Sequence, residues 1–314
     1  MNINDAVKVA SVLKATAISQ LISQPEQERQ YAELKQKFHD ALDDGTRVLL
    51  HCDSMEYARY KALEEIQTRV RGIVSNFAYQ YIRDLVNGAR LEVSEEEIFS
   101  VIDSTLVTPI RDIKTELKSN IEVSASDYKR FCDQWLALDF NDVVKALDER
   151  FGGDYAARLL NEQVAVKLSR ELGFAYSHAV NGFSDYKAGK KLERSFYSRK
   201  NEWSHTPNFA RELDYGHERT LHELSEGFRH AAATMNCEDL NDTANAIKTL
   251  MYQVQRQRGY FDSRTKSEFG TSTMTLFNEK FVLTMTKSAA NKLIIFLRKY
   301  AGSEFKGNEM RQAA

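Results

Sequence analysis

Three prolines in 314 residues constrain this chain more than any other feature of its sequence. Proline lacks a backbone N–H, and its ring clashes with the preceding helical turn, so its scarcity leaves long stretches free to be helical. The apolar pattern uses that freedom. Ala6, Val9, Ala10, Leu13, Ala17 and Leu21 recur every three or four positions and predict a first helix over about 4–23. Pro25, followed by Glu26 and Glu28, suits the first turn of a second helix, where acids meet the positive end of the helix dipole. Asp43-Asp44-Gly45 ends it. From Ser54 to about Asn87 an apolar stripe between Tyr57 and Leu85 predicts the longest helix, stopped at Asn87-Gly88. Its aromatics Tyr57, Tyr60, Phe77, Tyr79 and Tyr81 spread beyond one narrow stripe, as in a helix packed inside a large body or against a second chain. Ser94 with Glu97 three residues on reads as a capping box that opens a helix reaching Thr105. Pro109 begins a further segment to about Lys118, and helices follow near 126–138, 141–150 and 154–172, with Gly152-Gly153 as a break.

Residues 1–172 therefore read as an all-helical body, and the chain then changes character. From 173 to 215 it is rich in Gly, Ser, Asn, aromatics and Lys/Arg, with no clean period, and is expected to be an irregular or partly helical excursion. Helical spacing returns over 218–233 and 238–257. Ser272–Phe277 and Phe281–Thr286 alternate and are rich in β-branched and aromatic residues; Asn278-Glu279-Lys280 between them reads as a hairpin turn. Ser288 then caps an apolar helix over Ala289–Tyr300. An isolated hairpin is marginal in water, so this unit must dock on the body or on another protomer. The expected fold is mainly α: an elongated multi-helix body, the excursion, and a region 216–314 holding a helical pair and a small α+β unit.

Composition excludes several classes. The 43 Lys+Arg against 45 Asp+Glu give a net charge of −2, which rules out a globally basic DNA-coating protein. Cys52, Cys132 and Cys237 are far apart, so neither a disulfide framework nor a zinc ribbon is indicated. The longest apolar run, Leu293–Leu297, falls far short of the roughly 18 residues a bilayer requires. The opening MNINDAVKVASVLK lacks a basic stretch before an apolar one, so no signal peptide and a cytoplasmic location are expected.

Five of the seven histidines fall between 178 and 230. His217-Glu218 and His222-Glu223 look like a zinc-protease motif, but that motif needs its imidazoles four residues apart on one helix face. Five residues rotate the second by roughly 140° from the first. His222 and His230 could share a face, and Cys237 follows, yet no second thiol completes a set. There is no Gly-x-Ser-x-Gly elbow, and no Gly-x-x-x-x-Gly-Lys-Ser/Thr loop to cradle phosphates. The expectation is no catalytic apparatus, no cofactor and no metal. An enzyme built on His217, His222, His230 and Cys237 is one alternative.

The strongest functional candidate is the basic–aromatic stretch. Lys187, Lys190, Lys191, Arg194, Arg199 and Lys200 interleave with Phe183, Tyr186, Phe196, Tyr197 and Trp203. Cations and stacking rings suit nucleic acid, and Tyr, Trp and Arg equally dominate protein interfaces. The same aromatics could also simply pack beneath a loop. Arg194, Phe196, Tyr197, Arg199 and Trp203 are the candidate partner contacts, with a nucleic-acid-binding accessory protein of a phage or prophage as the other alternative.

In length and general character the chain resembles the phage-encoded Gabija anti-defence protein family. The stretches to compare are GFSDYKAGKKLERSFYSRKNEW and TMTLFNEKFVLTMTKSAANKLIIFLRKY; the family has no short signature that assigns roles residue by residue. The resemblance implies a non-enzymatic homo-oligomer that wraps around the bacterial Gabija nuclease–helicase complex and prevents it from engaging and cutting DNA.

Overall fold

A computed structural model describes residues 3–41, 54–89, 91–105, 122–175, 182–196, 198–200, 211–213 and 215–305. The chain divides into two compact units, Met1–Ala157 and Arg158–Ala314. It is mainly α, with an antiparallel sheet and a helix toward the C-terminus.

The first unit begins with α1 (Ile3–Ile22) and α2 (Gln24–Ala41). Pro25 sits in the first turn of α2, where no N–H is needed, and the Gln27 amide donates to the Ser23 carbonyl at 3.1 Å. Ser23 thus stands as the N-cap of α2, its carbonyl taking the first bond of that helix. α3 (Met55–Leu85) has 31 residues, about 46 Å at 1.5 Å per residue. Ser54 Oγ caps it by accepting from the Tyr57 amide, and Asn87 and Gly88 at positive φ end it, with Gly88 N–H returned to the Arg83 carbonyl. Its stripe of Leu63, Ile66, Val70, Val74 and Ile82 is buried as its spacing predicts.

α4 (Glu95–Thr105), α5 (Ala125–Leu136) and α6 (Phe140–Phe151) complete this unit. The Glu97 amide donates to Ser94 Oγ, the cap expected from sequence. Phe77 of α3 meets Phe140 of α6 edge-on, centroids 5.0 Å apart. Two polar ties fix α1 to α5. Lys14, only 4% exposed, donates from Nζ to the Leu136 carbonyl at 2.8 Å and to the Leu138 carbonyl. Tyr128 donates from its hydroxyl to the carbonyls of Leu21 and Ile22. The segment expected to start at Pro109 lies outside the described residues.

α7 (Tyr155–Glu171) straddles the division, and its Ala165, Leu168 and Leu172 beyond it join the second core. The compact units therefore divide at 157/158, where the sequence suggested 172. The second unit continues with β1 (Ser184–Tyr186), β2 (Gly189–Ser195), β3 (Arg199–Lys200), β4 (Arg211–Glu212), α8 (Tyr215–Met235), α9 (Glu238–Arg256), β5 (Tyr260–Phe261), β6 (Thr265–Phe269), β7 (Ser272–Leu276), β8 (Lys280–Thr286) and α10 (Lys287–Tyr300). The larger sheet runs β1-β2-β8-β7-β6, antiparallel throughout, and β3-β4-β5 form a second, small one.

The expected β7–β8 hairpin is present, with the Phe277 amide donating to the Lys280 carbonyl. It docks within its own unit: Met274, Leu276, Phe281, Leu283 and Met285 face the buried sides of α8, α9 and α10. Thr286, rather than Ser288, caps α10, its Oγ1 accepting from the Ala289 amide. Gly227 lets α8 approach α7, because a Cβ there would sit 2.7 Å from Leu168 Cδ2.

One expectation is corrected here. Residues 184–195 are not irregular; β2 pairs with β8 along its whole length, Leu192 opposite Leu283. Lys190, Leu192 and Arg194 occupy the same face by strand alternation, so one leucine between two cations hides the period. Their stems cover apolar surface while the heads reach Asp185 Oδ1 (Lys190, 2.8 Å) and the Glu171 carbonyl (Arg194 Nε, 3.2 Å).

Candidate functional site

The basic–aromatic stretch is spread over several roles. Phe196 is half-buried, its ring centroid 5.5 Å from His217 and 6.3 Å from both Phe261 and Phe281, so it closes one end of the second core. Arg194 is held by the Glu171 carbonyl. Arg199 lies in β3, its backbone opposite Glu212. Tyr197 and Trp203 lie outside the described residues.

Lys190 and Lys191 of this stretch meet carboxylates. Lys191 approaches Glu193 at 2.7 Å and Lys280 approaches the same carboxylate at 2.6 Å. Hydrogen bonds from Lys191 and Lys280 hold the Glu193 carboxyl below its ordinary range, and Lys190 does the same for Asp185. A cation already sharing a carboxylate offers less field to a phosphate, so the sheet surface is a mixed-charge one.

The histidines are kept apart. His217 lies against Phe196 at the start of α8, the two rings tilted to one another, and His222 is exposed. His230, 13 residues beyond His217, lies about 20 Å further along the helix. Its Nε2 is 2.7 Å from Asn161 Oδ1, which also accepts from Thr234 Oγ1 at 3.1 Å, and its ring meets Phe296 edge-on. Burial pushes its pKa down. Cys237 is buried beside the start of α9. Among the described residues no three His, Cys, Asp or Glu side chains come together in a metal-binding group. Cys132, on α5, is also buried, and desolvation pushes its thiol up to about 11, away from nucleophilic chemistry.

A different surface stands out on α1 and α2. Val9 is 54% exposed, Val12 64%, Leu13 52%, Tyr31 69% and Leu34 64%. The opposite side of α1 is buried through Ala10, Ala17, Ile18 and Leu21. Sequence periodicity grouped Val9 and Leu13 with that buried face; the signal it overlooked was that Val9, Val12 and Leu13 fall on a different side from Ala10, Ala17 and Leu21. α1 is thus apolar on two sides. One helical stretch, Ile3–Leu34, is also long and apolar enough to cross a membrane by length and composition. The Lys14 and Tyr128 ties bind its inner side to the first unit.

No family model matches this chain, and no curated protein or solved structure does either.

Proposed function

We propose that this chain is a non-catalytic phage protein that self-assembles around a bacterial defence nuclease complex of the Gabija type, in the host cytoplasm, and keeps it from binding and cutting DNA. The observation that carries a contact-based mode of action is the outer face of α1 and α2. Five large apolar side chains stand more than half exposed there. Fully burying a side chain of that size against a partner contributes about 1.5–3 kcal/mol. The exposed face supports the means; the resemblance supplies the target. A protein target ranks ahead of nucleic acid because Lys190, Lys191 and Lys280 already share Asp185 and Glu193.

The test is co-expression of the tagged chain with a Gabija-type nuclease–helicase complex, purification after nuclease treatment, and mass measurement by light scattering. A stoichiometric assembly that survives nuclease is expected. Separate elution of chain and complex refutes the reading. Co-elution that disappears with the nucleic acid replaces it with the DNA-binding alternative.

A further inference from the structure

The near-neutral net charge conceals an uneven division. Met1–Ala157 carries 19 Lys+Arg and 27 Asp+Glu, a net charge of −8, whereas Arg158–Ala314 carries 24 and 18, a net charge of +6. Charge asymmetry between the halves of a chain points to contact with a polyanion. Within the second unit one element stands apart. α10 holds Lys287, Lys292, Arg298 and Lys299 and no acidic residue at all.

Its two sides divide cleanly. Ala289, Ala290, Leu293, Phe296 and Leu297 are buried in the second core. Lys287, Ser288, Asn291, Ile295, Arg298 and Lys299 are exposed. At about 100° per residue these six fall within one sector of about 120°. Lys292, at the edge of that sector, donates from Nζ to the carbonyls of Met235 and Asn236 at 3.1 and 3.0 Å, which fixes α10 against the end of α8. Among the described residues no carboxylate lies within ion-pair distance of Lys287, Arg298 or Lys299, unlike Lys190, Lys191 and Lys280. Asp185, the carboxyl that feels the charge of Lys287, is already bound by Lys190 at 2.8 Å. Lys299 rests over the Tyr300 ring, 4.8 Å from its centroid, a contact that leaves its charge in place. Arg298 and Lys299 suit the negative end of the helix dipole, but Lys287 stands in the first turn, where the dipole opposes a cation and no acid compensates. Helix stability therefore does not account for Lys287.

The exposed face also selects among polyanions. A membrane-surface helix must insert an apolar face, and a protein interface needs an apolar centre. Here Ile295, 53% exposed, is the one large apolar side chain among the six. Single-stranded nucleic acid is gripped by stacking on aromatic rings, and none of the six is aromatic. Duplex DNA asks only for cations along its backbone. From Lys287 to Lys299 the helix runs about 18 Å, a length over which a duplex presents about ten phosphates. We infer that the outer face of α10 is a duplex-DNA contact surface, in which Lys287, Arg298 and Lys299 bind backbone phosphates without reading sequence. The inference goes beyond the proposed blocking of a nuclease, since it concerns the DNA itself and a different surface from that of α1 and α2.

Fluorescence anisotropy of the purified full chain with a labelled duplex of about 20 base pairs and arbitrary sequence tests it. Binding in the micromolar range is expected at about 50 mM salt, weakening log-linearly as salt is added. Each of Lys287→Gln, Arg298→Gln and Lys299→Gln should reduce the steepness of that line by about 0.9, and the triple variant by about 2.7. Lys8→Gln, which removes an exposed cation from the first unit, should leave the line unchanged. All four positions are exposed, and unchanged circular dichroism confirms that folding is intact. A wild-type chain that fails to bind the duplex at about 25 mM salt overturns the inference, as does a slope that the triple variant leaves unaltered. A chain that ignores the duplex but floats with phosphatidylglycerol vesicles, and loses that binding in the triple variant, overturns it in favour of a lipid surface. Nuclease blocking is read in parallel. A chain that binds duplex through α10 yet fails to block refutes the functional reading alone, and one that blocks without binding duplex refutes this inference alone.

Discussion

Replacing Lys14 with Met keeps the stem of a nearly fully buried side chain and removes its ammonium. Lys14 Nζ donates to two carbonyls at the end of α5, of which that of Leu138 is buried and that of Leu136 partly so. The buried carbonyl, once orphaned, costs about 1–3 kcal/mol, and the partly exposed one, which water can reach, roughly 0.5 kcal/mol. Against this stands relief of a desolvated charge: burial lowers the Lys14 pKa, and nearby Asp139 opposes that shift only in part. The donor wins, because the Leu138 carbonyl it leaves behind is buried, away from water that could replace the ammonium. A net loss of about 2 kcal/mol follows for the first unit, near 1 M in urea midpoint if the slope is about 2 kcal/mol per molar. Urea titration followed by fluorescence of Trp135, one residue before Leu136, in a Trp203→Phe background reads this unit; protein concentration is held fixed so that self-association cancels. An unchanged or higher midpoint in Lys14→Met, with unchanged slope, refutes the claim that this lysine anchors α1 by capping α5.

Three further predictions concern the second unit. The folded pKa of His230 lies below its ordinary value of about 6.5, so between the two the unfolded chain binds more protons; stability is full above about pH 6.5 and falls as pH drops below it, by at most about 1.4 kcal/mol per pH unit. Thermal melts between pH 5 and 8 should show this slope in the wild type and a flatter one in His230→Gln, whose Asn161, Thr234 and Phe296 surroundings are unchanged; identical slopes contradict the assignment. Gly227→Ala drives a methyl into Leu168 and should cost about 1–3 kcal/mol in a denaturant titration, whereas a neutral result means α7 and α8 are not so closely apposed. Phe196→Ala should lower stability by about 2–4 kcal/mol because the ring packs on Phe261, Phe281 and His217; loss of partner binding with an unchanged melting temperature restores it as a contact residue.

Where one face alone is buried, the sequence was readable. The stripe of α3, the Ser94 cap, the Asn87-Gly88 stop and the β7–β8 alternation each follow from local residues and reappear in the structure. Where polar residues face inward, it was not. β2 hides its inward face behind Lys190 and Arg194, and β6 turns Ser267 inward, its Oγ donating to the Ala246 carbonyl, between exposed Lys266 and Glu268. Neither strand shows apolar alternation, because hydrogen bonds and aliphatic stems take the place of a larger side chain. The division at 157/158 was hidden for another reason: Leu168 and Leu172 announce a buried face without saying which core buries them. The α1 surface was present in the composition, but a single-stripe reading merges Val9 and Leu13 with the buried Ala10 and Ala17.

The most direct test of the central claim is DNA cleavage by a purified Gabija-type complex titrated with this chain. Cleavage should fall to background at a fixed stoichiometry with the wild type, and Val12→Glu, deprived of the α1–α2 surface, should require a large excess or fail. Cleavage that proceeds at its full rate at every ratio of wild-type chain contradicts the account.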